Sequence, residues 1–525
     1  MAFTFQINHN VNFHHDGALL QKAEENRPGL NLRRVVPGRI VELTHDRSKL
    51  EGVWIKESEK DIRELQSYAL KRDESMILDF GEHLVGHFRI AIRSVGSPMD
   101  APLYLRLRFA EVPAELSGES SDYDGWLSRS WIQEEFVHLD ELPAVLELPR
   151  RYSFRFVELK VIDTSPKWRA VFSDPVAVAE SSADESLLPE SRLNDFSLQK
   201  IYDVSVKTLA ECMQDVFEDG PKRDRRLWLG DLRLQALANY ATFDNIKLVK
   251  RCLFLFAGMT AEDGRIPANV FVRPENMPDD TFLFDYSLFF ISCLYDYEQA
   301  HSDTEFLMQL YPIAKKQINL SLHYLSGQGE LIPDEDYPVF VDWSNEFNKD
   351  TAGQAIMIYV LKQFLVLARQ TEDEDVPLYE EILRDMCCYA REKLYDPSRR
   401  LFVSGMEQEY NIASQVWMVL AHVMSDEENR IIMESMVEEL FPVKGIATPY
   451  MYHHVAEALF ESGLTEEGIK LLKSYWGKMI RYGADTFWEA FDPDQTDYSP
   501  YGNPIVSSYC HAWSCTPVYL IRKYL

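Results

Sequence analysis

Four segments of the first third of the chain are rich in β-branched and aromatic residues, and several of them alternate apolar and polar with a period of two. These are MILDF (76–80), HFRIAIRS (87–94), LYLRLRFAEV (103–112) and YSFRFVELKVI (152–162). Alternation in β-branched and aromatic residues predicts strands with one buried face. Polar stretches such as AELSGESSDYDG (114–125) separate them. Short strands with no helical pattern between them predict an N-terminal antiparallel β-sandwich over residues 1–165, in which 1–50 carry mixed signals.

Residues 166–190 include SDPVAVAESSADESLLPE, whose Ser, Asp, Glu and Pro content predicts a linker. From 191 to 525 the period turns helical, first in LQKIYDVSVKTLAECMQDVF (198–217), then in about a dozen segments of ordinary helix length. Sequential helices of this number form either a solenoid or a closed ring of helical hairpins. A solenoid repeats its sequence at a fixed period. Here the loops are unrelated to one another, which favours the ring, an (α/α)6 barrel with a site on its loops.

Composition narrows the partners. The 525 residues are 46% hydrophobic and 26% charged, as in a folded globular protein. Lysine and arginine total 54 against 84 acidic residues, a formal charge of −30, which disfavours nucleic acid and anionic membrane as partners. The seven scattered cysteines read as reduced thiols. The start, MAFTFQINHNVNFHHDG, lacks a basic region followed by an apolar run, so a cytoplasmic location is expected. A homo-oligomer is left open.

Candidate chemistry concentrates in three loops. EDGPKRDRRLWLGD, Glu218 to Asp231, packs Asp219, Asp224 and Asp231 among Arg223, Arg225 and Arg226, with Trp228 between. It reads either as a salt-bridge network with Asp231 as a helix cap, or as a sugar site. Sugars offer C–H faces to an aromatic platform and hydroxyls to carboxylates and arginine, which favours the second. GADTFWEAFDPD (483–494) places Trp488 and Glu489 before two aspartates, and SYCHAWSCTP (508–517) carries His511 and Trp513. Each also reads as ordinary loop or core. FDYSLFF (284–290) and FVDWSNEF (340–347) set Asp285, Asp342 and Trp343 beside aromatics, with capping the alternative for the two acids. Cys510, Cys515 and His511 are one ligand short of a closed zinc site, and no calcium-loop pattern occurs, so neither metal nor cofactor is expected. The chain has no GxSxG elbow, Walker-type loop or HExxH motif. A glycosidase needs only two placed carboxyl groups.

Asp219-Gly220-Pro221-Lys222-Arg223-Asp224-Arg225, continuing to Trp228, Gly230 and Asp231, resembles the signature D-[GC]-P-x-R-E-R-x-x-W-x-G-D of the α-L-rhamnosidases of glycoside hydrolase family 78. GADTFWEAFD and SYCHAWSCTP are similar to later elements of that family. LDFGEHLVGHFRI (78–90), LRLRFAE (105–111) and RYSFRFVEL (151–159) resemble its β-sandwich domain. The resemblance implies a β-sandwich before an (α/α)6 barrel, and cleavage of terminal α-L-rhamnose with inversion. By position it implies Asp224 as general acid and Glu489 as general base. It gives Asp219, Arg223, Trp228 and Asp231 the sugar hydroxyls and ring face. Asp285, Asp342, Trp343, Trp488, His511 and Trp513 complete the expected substrate-binding set. The departure is Asp224, where the family usually has Glu. Either the site has adapted to the shorter acid, or Asp219 takes the role, or the protein is a weak or silent rhamnose binder. Another glycosidase or lyase on the same barrel remains a further alternative. The expected substrates are small rhamnosides or oligosaccharides.

Overall fold

The computed structural model describes residues 6, 8, 10–332, 334–495 and 498–525. An antiparallel sheet domain precedes a helical domain, with fourteen α-helices among the described residues. The spine of the sheet is the 22-residue strand Ser75–Gly96. Its first half pairs with Tyr152–Asp163 and its second with Trp168–Ser181. Tyr152–Asp163 continues to Leu103–Ala110 and then Glu134–Leu139. The pairing with Tyr152–Asp163 breaks register between Asp79 and Leu84, where Gly81 takes a φ of 83°. Past that break the strand changes partners, from Tyr152–Asp163 and Arg39–His45 to Trp168–Ser181 and Ala144–Glu147. Side chains alternate across it. Met76, Leu78 and Phe80 enter the main core with Leu84, Phe88 and Ile90, while Ile77 faces a smaller cluster with Val41 and Ile55.

Three sequence expectations are corrected. The linker at 166–190 is largely strand: Trp168–Ser181 pairs with both Ser75–Gly96 and Asn31–Val35. A bulge at Ser173/Val176, with Asp174 at φ 51°, places polar residues and Pro175 where alternation would otherwise show. The true junction runs from about 182 to the helix Phe196–Cys212, capped by Asp195. That helix stops at Cys212, short of Phe217, and residues 213–217 form a tight turn closed by a Met213–Phe217 bridge. The start of the chain does not belong to the sheet. Gly17–Glu25 packs on the helix Ile246–Gly258, with Leu19 and Leu20 against Gly258, so the described part of 6–26 lies on the helical domain. Residues 1–5, within the uncertain N-terminal stretch, lie outside the described residues.

The helices form two concentric rings. The inner ring is Leu229–Tyr240, Phe284–His301, Asp350–Gln370, Ile412–Leu420, Pro449–Glu461 and Pro517–Tyr524, each touching the next and the last touching the first. Most inner helices are buried nearly all round, whereas outer ones such as Val376–Tyr389 and Thr465–Ser474 are buried on one stripe only. Asp350–Gln370 is long and apolar enough to cross a membrane, but its apolarity is spent inside the barrel. Helix starts follow the local sequence: Asp195, Asn245, Asp303, Asn411 and Thr448 cap with their side chains, and Pro449 and Pro517 occupy first turns.

The sheet domain grips the loops at one end of this barrel. Glu115 pairs with Lys222, whose ammonium also donates to the carbonyls of Ile505 (3.0 Å) and Ser507 (2.8 Å). Arg151 donates to both carboxylate oxygens of Glu218, and Glu111 accepts from the Tyr509 N–H at 2.7 Å. Lys222 and Glu115 are both buried. Removing one member of a buried ion pair strands the other. Lys222→Met is therefore expected to lower unfolding free energy by about 3–5 kcal/mol in denaturant titration. Adding Glu115→Gln, which keeps the acceptor for the Glu111 and Val112 N–H groups, should recover part of that loss.

Candidate active site

The loop before the inner helix Leu229–Tyr240 is built around Asp219. The N–H of Asp224 donates to Asp219 Oδ2 (3.1 Å) and that of Arg226 to Oδ1 (3.0 Å). Arg225 between them lies in the left-handed region at φ 65°, and its own N–H closes on the Gly220 carbonyl at 3.0 Å. Gly220 is required, because a Cβ there would collide with the Arg223 carbonyl and the Ser508 hydroxyl. Leu227–Trp228 then pairs with Asn269–Phe271, which fixes the Trp228 backbone at the rim. A Cβ on Gly230 would strike the ring of Tyr286, so the motif's second glycine lets an inner-helix aromatic reach the pocket.

Arg223 ties this loop to the one carrying Glu489. Its Nη2 donates to Glu489 Oε2, Nη1 to Asp224 Oδ1 at 3.2 Å, and Nε to the Val506 carbonyl at 3.2 Å. The guanidinium lies 4.0 Å over the Tyr501 ring. Burial opposes its charge, but Glu489, Tyr501 and Asp224 hold its pKa well above the ordinary arginine value. Glu489 also accepts from the Tyr501 hydroxyl through Oε1 and from the Ser508 N–H at 3.3 Å through Oε2. His511 Nε2 stands 3.8 Å from Glu489 Oε1 and its Nδ1 3.5 Å from Asp231 Oδ1. Trp513 donates its indole N–H to the Glu489 carbonyl (2.8 Å) and stacks on Phe340.

The pocket is thus acidic in composition but not uniformly charged. Burial, then the neighbouring Asp224, push Asp219 up to about 8 against the pull of its backbone donors. Burial, with Asp219 and Glu489 nearby, holds Asp231 well above the usual carboxylate range. Burial and Arg223 hold His511 well below the usual histidine value, so its ring is neutral. Neutral Asp219, Asp231 and His511 offer both donors and acceptors to hydroxyl groups without repelling one another. Asp224 is the most open of the carboxyl groups, its side chain 19% exposed against 5% or less for Asp219, Asp231 and Glu489.

Of the sequence-selected residues, Asp219, Arg223, Asp224, Trp228, Asp231, Trp343, Glu489, His511 and Trp513 line this one pocket, which encloses about 720 Å³ including its open mouth. Three selected residues do not line it. Asp285 is buried and accepts from the N–H groups of Phe340 and Val341, both at 3.0 Å, which corrects its expected contact with substrate. Asp342 is likewise corrected: it accepts from the N–H groups of Ser344, Ala447 and Thr448 and from the Thr448 hydroxyl. Both carboxylates shape the loop that presents Phe340 and Trp343. Trp488 is corrected too, since it points away from the pocket and packs on Phe491 and Tyr509.

Sequence reading missed Arg226, Tyr286, Phe340, Tyr501 and a trio from the sheet domain, Trp126, Leu127 and Trp131. Arg226, Tyr286 and Phe340 sat inside segments already singled out. Tyr501 and the trio lie in polar loops without a recognisable pattern. Among the described residues, no group of three or more His, Cys, Asp or Glu side chains is placed to hold a metal ion.

Residues 37–179 match the glycosyl hydrolase family 78 alpha-rhamnosidase N-terminal domain. Residues 192–525 match the bacterial alpha-L-rhamnosidase 6 hairpin glycosidase domain. A solved rhamnosidase from Klebsiella oxytoca with rhamnose bound is 44% identical, with a TM-score of 0.95 over 98% of this chain and 99% of that one. The family 78 rhamnosidase of Bacillus sp. GL1 is 20% identical at TM-score 0.72, covering 86% of this chain and 47% of that one. The alpha-L-rhamnosidase of Streptomyces avermitilis complexed with L-rhamnose is 17% identical at TM-score 0.65, covering 94% and 44%. The chain therefore spans about half of those two proteins, which share its fold. No curated protein sequence matches it.

The raised pKa of Asp219 has a measurable consequence for stability. Between the ordinary value of 3.8 and about 8 the folded protein holds a proton that the unfolded chain releases. Stability from this group therefore falls as pH rises through that window and levels off above it. Asp219→Asn is expected to make denaturant-measured stability less dependent on pH between those values, and an unchanged slope would contradict the assignment.

Proposed function

Because the chain belongs to glycosyl hydrolase family 78, the α-L-rhamnosidases, and is a glycoside hydrolase, we propose that it releases terminal α-L-rhamnose with inversion. In this reading Asp224 is the general acid and Glu489 the general base. The observation that carries it is the Arg223 guanidinium, which holds Asp224 on one nitrogen and Glu489 on another within a single pocket. Two carboxyl groups held in one pocket by one guanidinium supply the acid and the base that glycoside hydrolysis requires, and inversion is carried over from the family resemblance.

Glu489 Oε1, beside Tyr501 and His511, faces the pocket and takes the proton of the attacking water. Oε2 stays bound to Arg223 and the Ser508 N–H, which keeps the carboxylate from rotating. Asp224 gives its proton to the leaving oxygen. Its greater exposure suits that role, since a departing group must leave toward solvent. Asp219 suits the role less well, because it is buried at the pocket floor while Asp224 is open toward solvent. The shorter Asp at 224 is thus read as an adapted donor. Asp219, Asp231 and His511 take the rhamnose hydroxyls, and Trp228, Trp343 and Trp513 its apolar faces. One terminal sugar in an enclosed pocket fits small rhamnosides and oligosaccharide ends.

Glu489→Gln is expected to lower kcat on both aryl and alkyl α-L-rhamnosides by at least about 10²-fold. Asp224→Asn should cost about 10²–10⁴-fold on an alkyl rhamnoside, and far less on a nitrophenyl one, whose leaving group needs little protonation. Proton NMR of the first turnover should show β-L-rhamnose forming before mutarotation. A first product in the α form would overturn inversion, and equal losses on both substrates in Asp224→Asn would overturn Asp224 as the acid.

A further inference from the structure

The inner helices line a second cavity at the other end of the barrel. Asp231 and Tyr286, in the first turns of two of these helices, face the pocket described above. Further along, the same two helices bring Arg233 and Asp296 to the second cavity, to which all six inner helices contribute. It encloses about 850 Å³ including its open mouth and shares no lining residue with the first pocket. Buried Arg233 closes its inner end, with the rings of Phe289 and Tyr359 at 5.1 and 5.4 Å from the guanidinium.

Arg233 Nη1 donates to His454 Nε2 at 2.9 Å, and Nη2 donates to the Tyr359 hydroxyl at 3.1 Å. His454 Nδ1 lies 2.9 Å from the Tyr450 carbonyl, so that nitrogen carries the proton and Nε2 is free to accept. The guanidinium is thus held by a neutral imidazole and a phenol rather than by a carboxylate. Its Nε has no hydrogen-bond partner among the described residues, and neither does Oδ2 of Asp296 on the adjacent inner helix. Burial pushes Asp296 up to about 6. A guanidinium and a carboxylate therefore line one space without meeting. Bringing them together would relieve the cost of both buried charges, so folding does not require the gap.

The other charges of the cavity are already spent. Lys523 donates to Glu457 at 3.3 Å and to Glu461 at 3.4 Å, and Lys362 donates to the carbonyls of Ala421 and His422. Cationic Arg233, Lys362 and Lys523 balance acidic Asp296, Glu457 and Glu461, so an ion of either sign gains no net field. Gln363 gives its carbonyl oxygen to the Ser292 hydroxyl at 2.6 Å, which leaves its amide N–H groups for a ligand. The open groups are thus an acceptor on Asp296 and donors on Arg233 and Gln363. A hydroxyl group both donates and accepts, and a molecule with several of them bridges all three. Tyr295 and Tyr359 add ring faces for its C–H groups. We propose that this cavity is a second binding site, for a small uncharged polyhydroxylated molecule of monosaccharide size. The site stands independently of the rhamnosidase reading, because no residue of the first pocket takes part.

The test measures binding of D-glucose, L-rhamnose and D-glucitol, with glycine as a zwitterion, by calorimetry and saturation-transfer NMR. At least one polyol is expected to bind the wild type, and to bind Asp296→Leu and Gln363→Leu roughly tenfold more weakly. Trp228→Ala, which alters the first pocket alone, should keep that binding. Asp296→Leu should also melt no lower than the wild type, because it removes an unpaired buried carboxylate. Polyol binding that survives in Asp296→Leu and Gln363→Leu but disappears in Trp228→Ala would overturn the proposal, since the first pocket then accounts for it. Glycine binding in place of the polyols would overturn the ligand class, and no binding to the wild type would leave a water-filled cavity. A marked fall in melting temperature in Asp296→Asn as well as Asp296→Leu would make Asp296 a residue of the fold and overturn the site.

Discussion

Arg223 and Glu489 meet in the interior, and neither charge is tolerable there without the other. That pairing joins the loop entering one inner helix to a loop 266 residues later in the chain. Around it the other polar groups fall into place. Tyr501 closes one oxygen of Glu489 and lies under the guanidinium, Asp224 takes a second nitrogen of Arg223, and Trp513 fixes the Glu489 backbone. A buried charge pair of this kind contributes little net stability but sharply penalises every other arrangement of the two loops.

The pair is also braced from outside the barrel. Lys222 and Tyr509, neighbours in sequence of Arg223 and of Ser508, are held by Glu115 and Glu111 of the sheet domain. Glu111 is in turn fixed by Ser153 Oγ at 2.7 Å and His83 Nε2 at 3.1 Å. Although burial opposes the charged imidazole, Cys510, Glu111 and Glu211 hold His83 well above the usual histidine value. The sheet domain thus acts on the chemistry at two levels. Its buried carboxylates set the positions of the pocket loops, and its exposed aromatic loop forms the pocket mouth. Conformational freedom that loops would otherwise keep is removed by packing them between two rigid bodies.

The remaining acids of the pocket differ from Asp224 and Glu489, the pair proposed to carry the reaction. Burial drives Asp219 and Asp231 toward their neutral forms, helped by Asp224 at the first and by Asp219 and Glu489 at the second, so the pocket floor presents hydrogen-bonding groups rather than a field of negative charge. Asp285 and Asp342 spend their oxygens on backbone N–H groups and act as internal caps of the 340–343 turn. Identical side chains are therefore left open to solvent, driven neutral or spent on the backbone, according to what each is buried against.

Periodicity alone separated the sheet from the helices, because alternation and helical spacing are local consequences of which face is buried. The spacing of Asp219, Arg223, Asp224, Trp228, Gly230 and Asp231 was legible for the same reason: one short loop carries them all, and its two glycines answer to steric limits within and beside it. What local pattern could not reveal was where a polar side chain spends its hydrogen bonds. Asp285 and Asp342 look like Asp219 in sequence and differ only in partners 55 and 105 residues away. The strand Trp168–Ser181 was hidden by a bulge whose pairing is non-local. Tyr501 and Trp126 carry no motif, since an aromatic in a polar loop gains meaning only from the pocket that a distant segment builds beside it. The sequence by itself determined the two domains and the residues able to carry the reaction, through short-range geometry. Only the tertiary structure decided which of those carboxylates are paired, neutral or spent on the backbone, because burial and partner are properties of the folded chain.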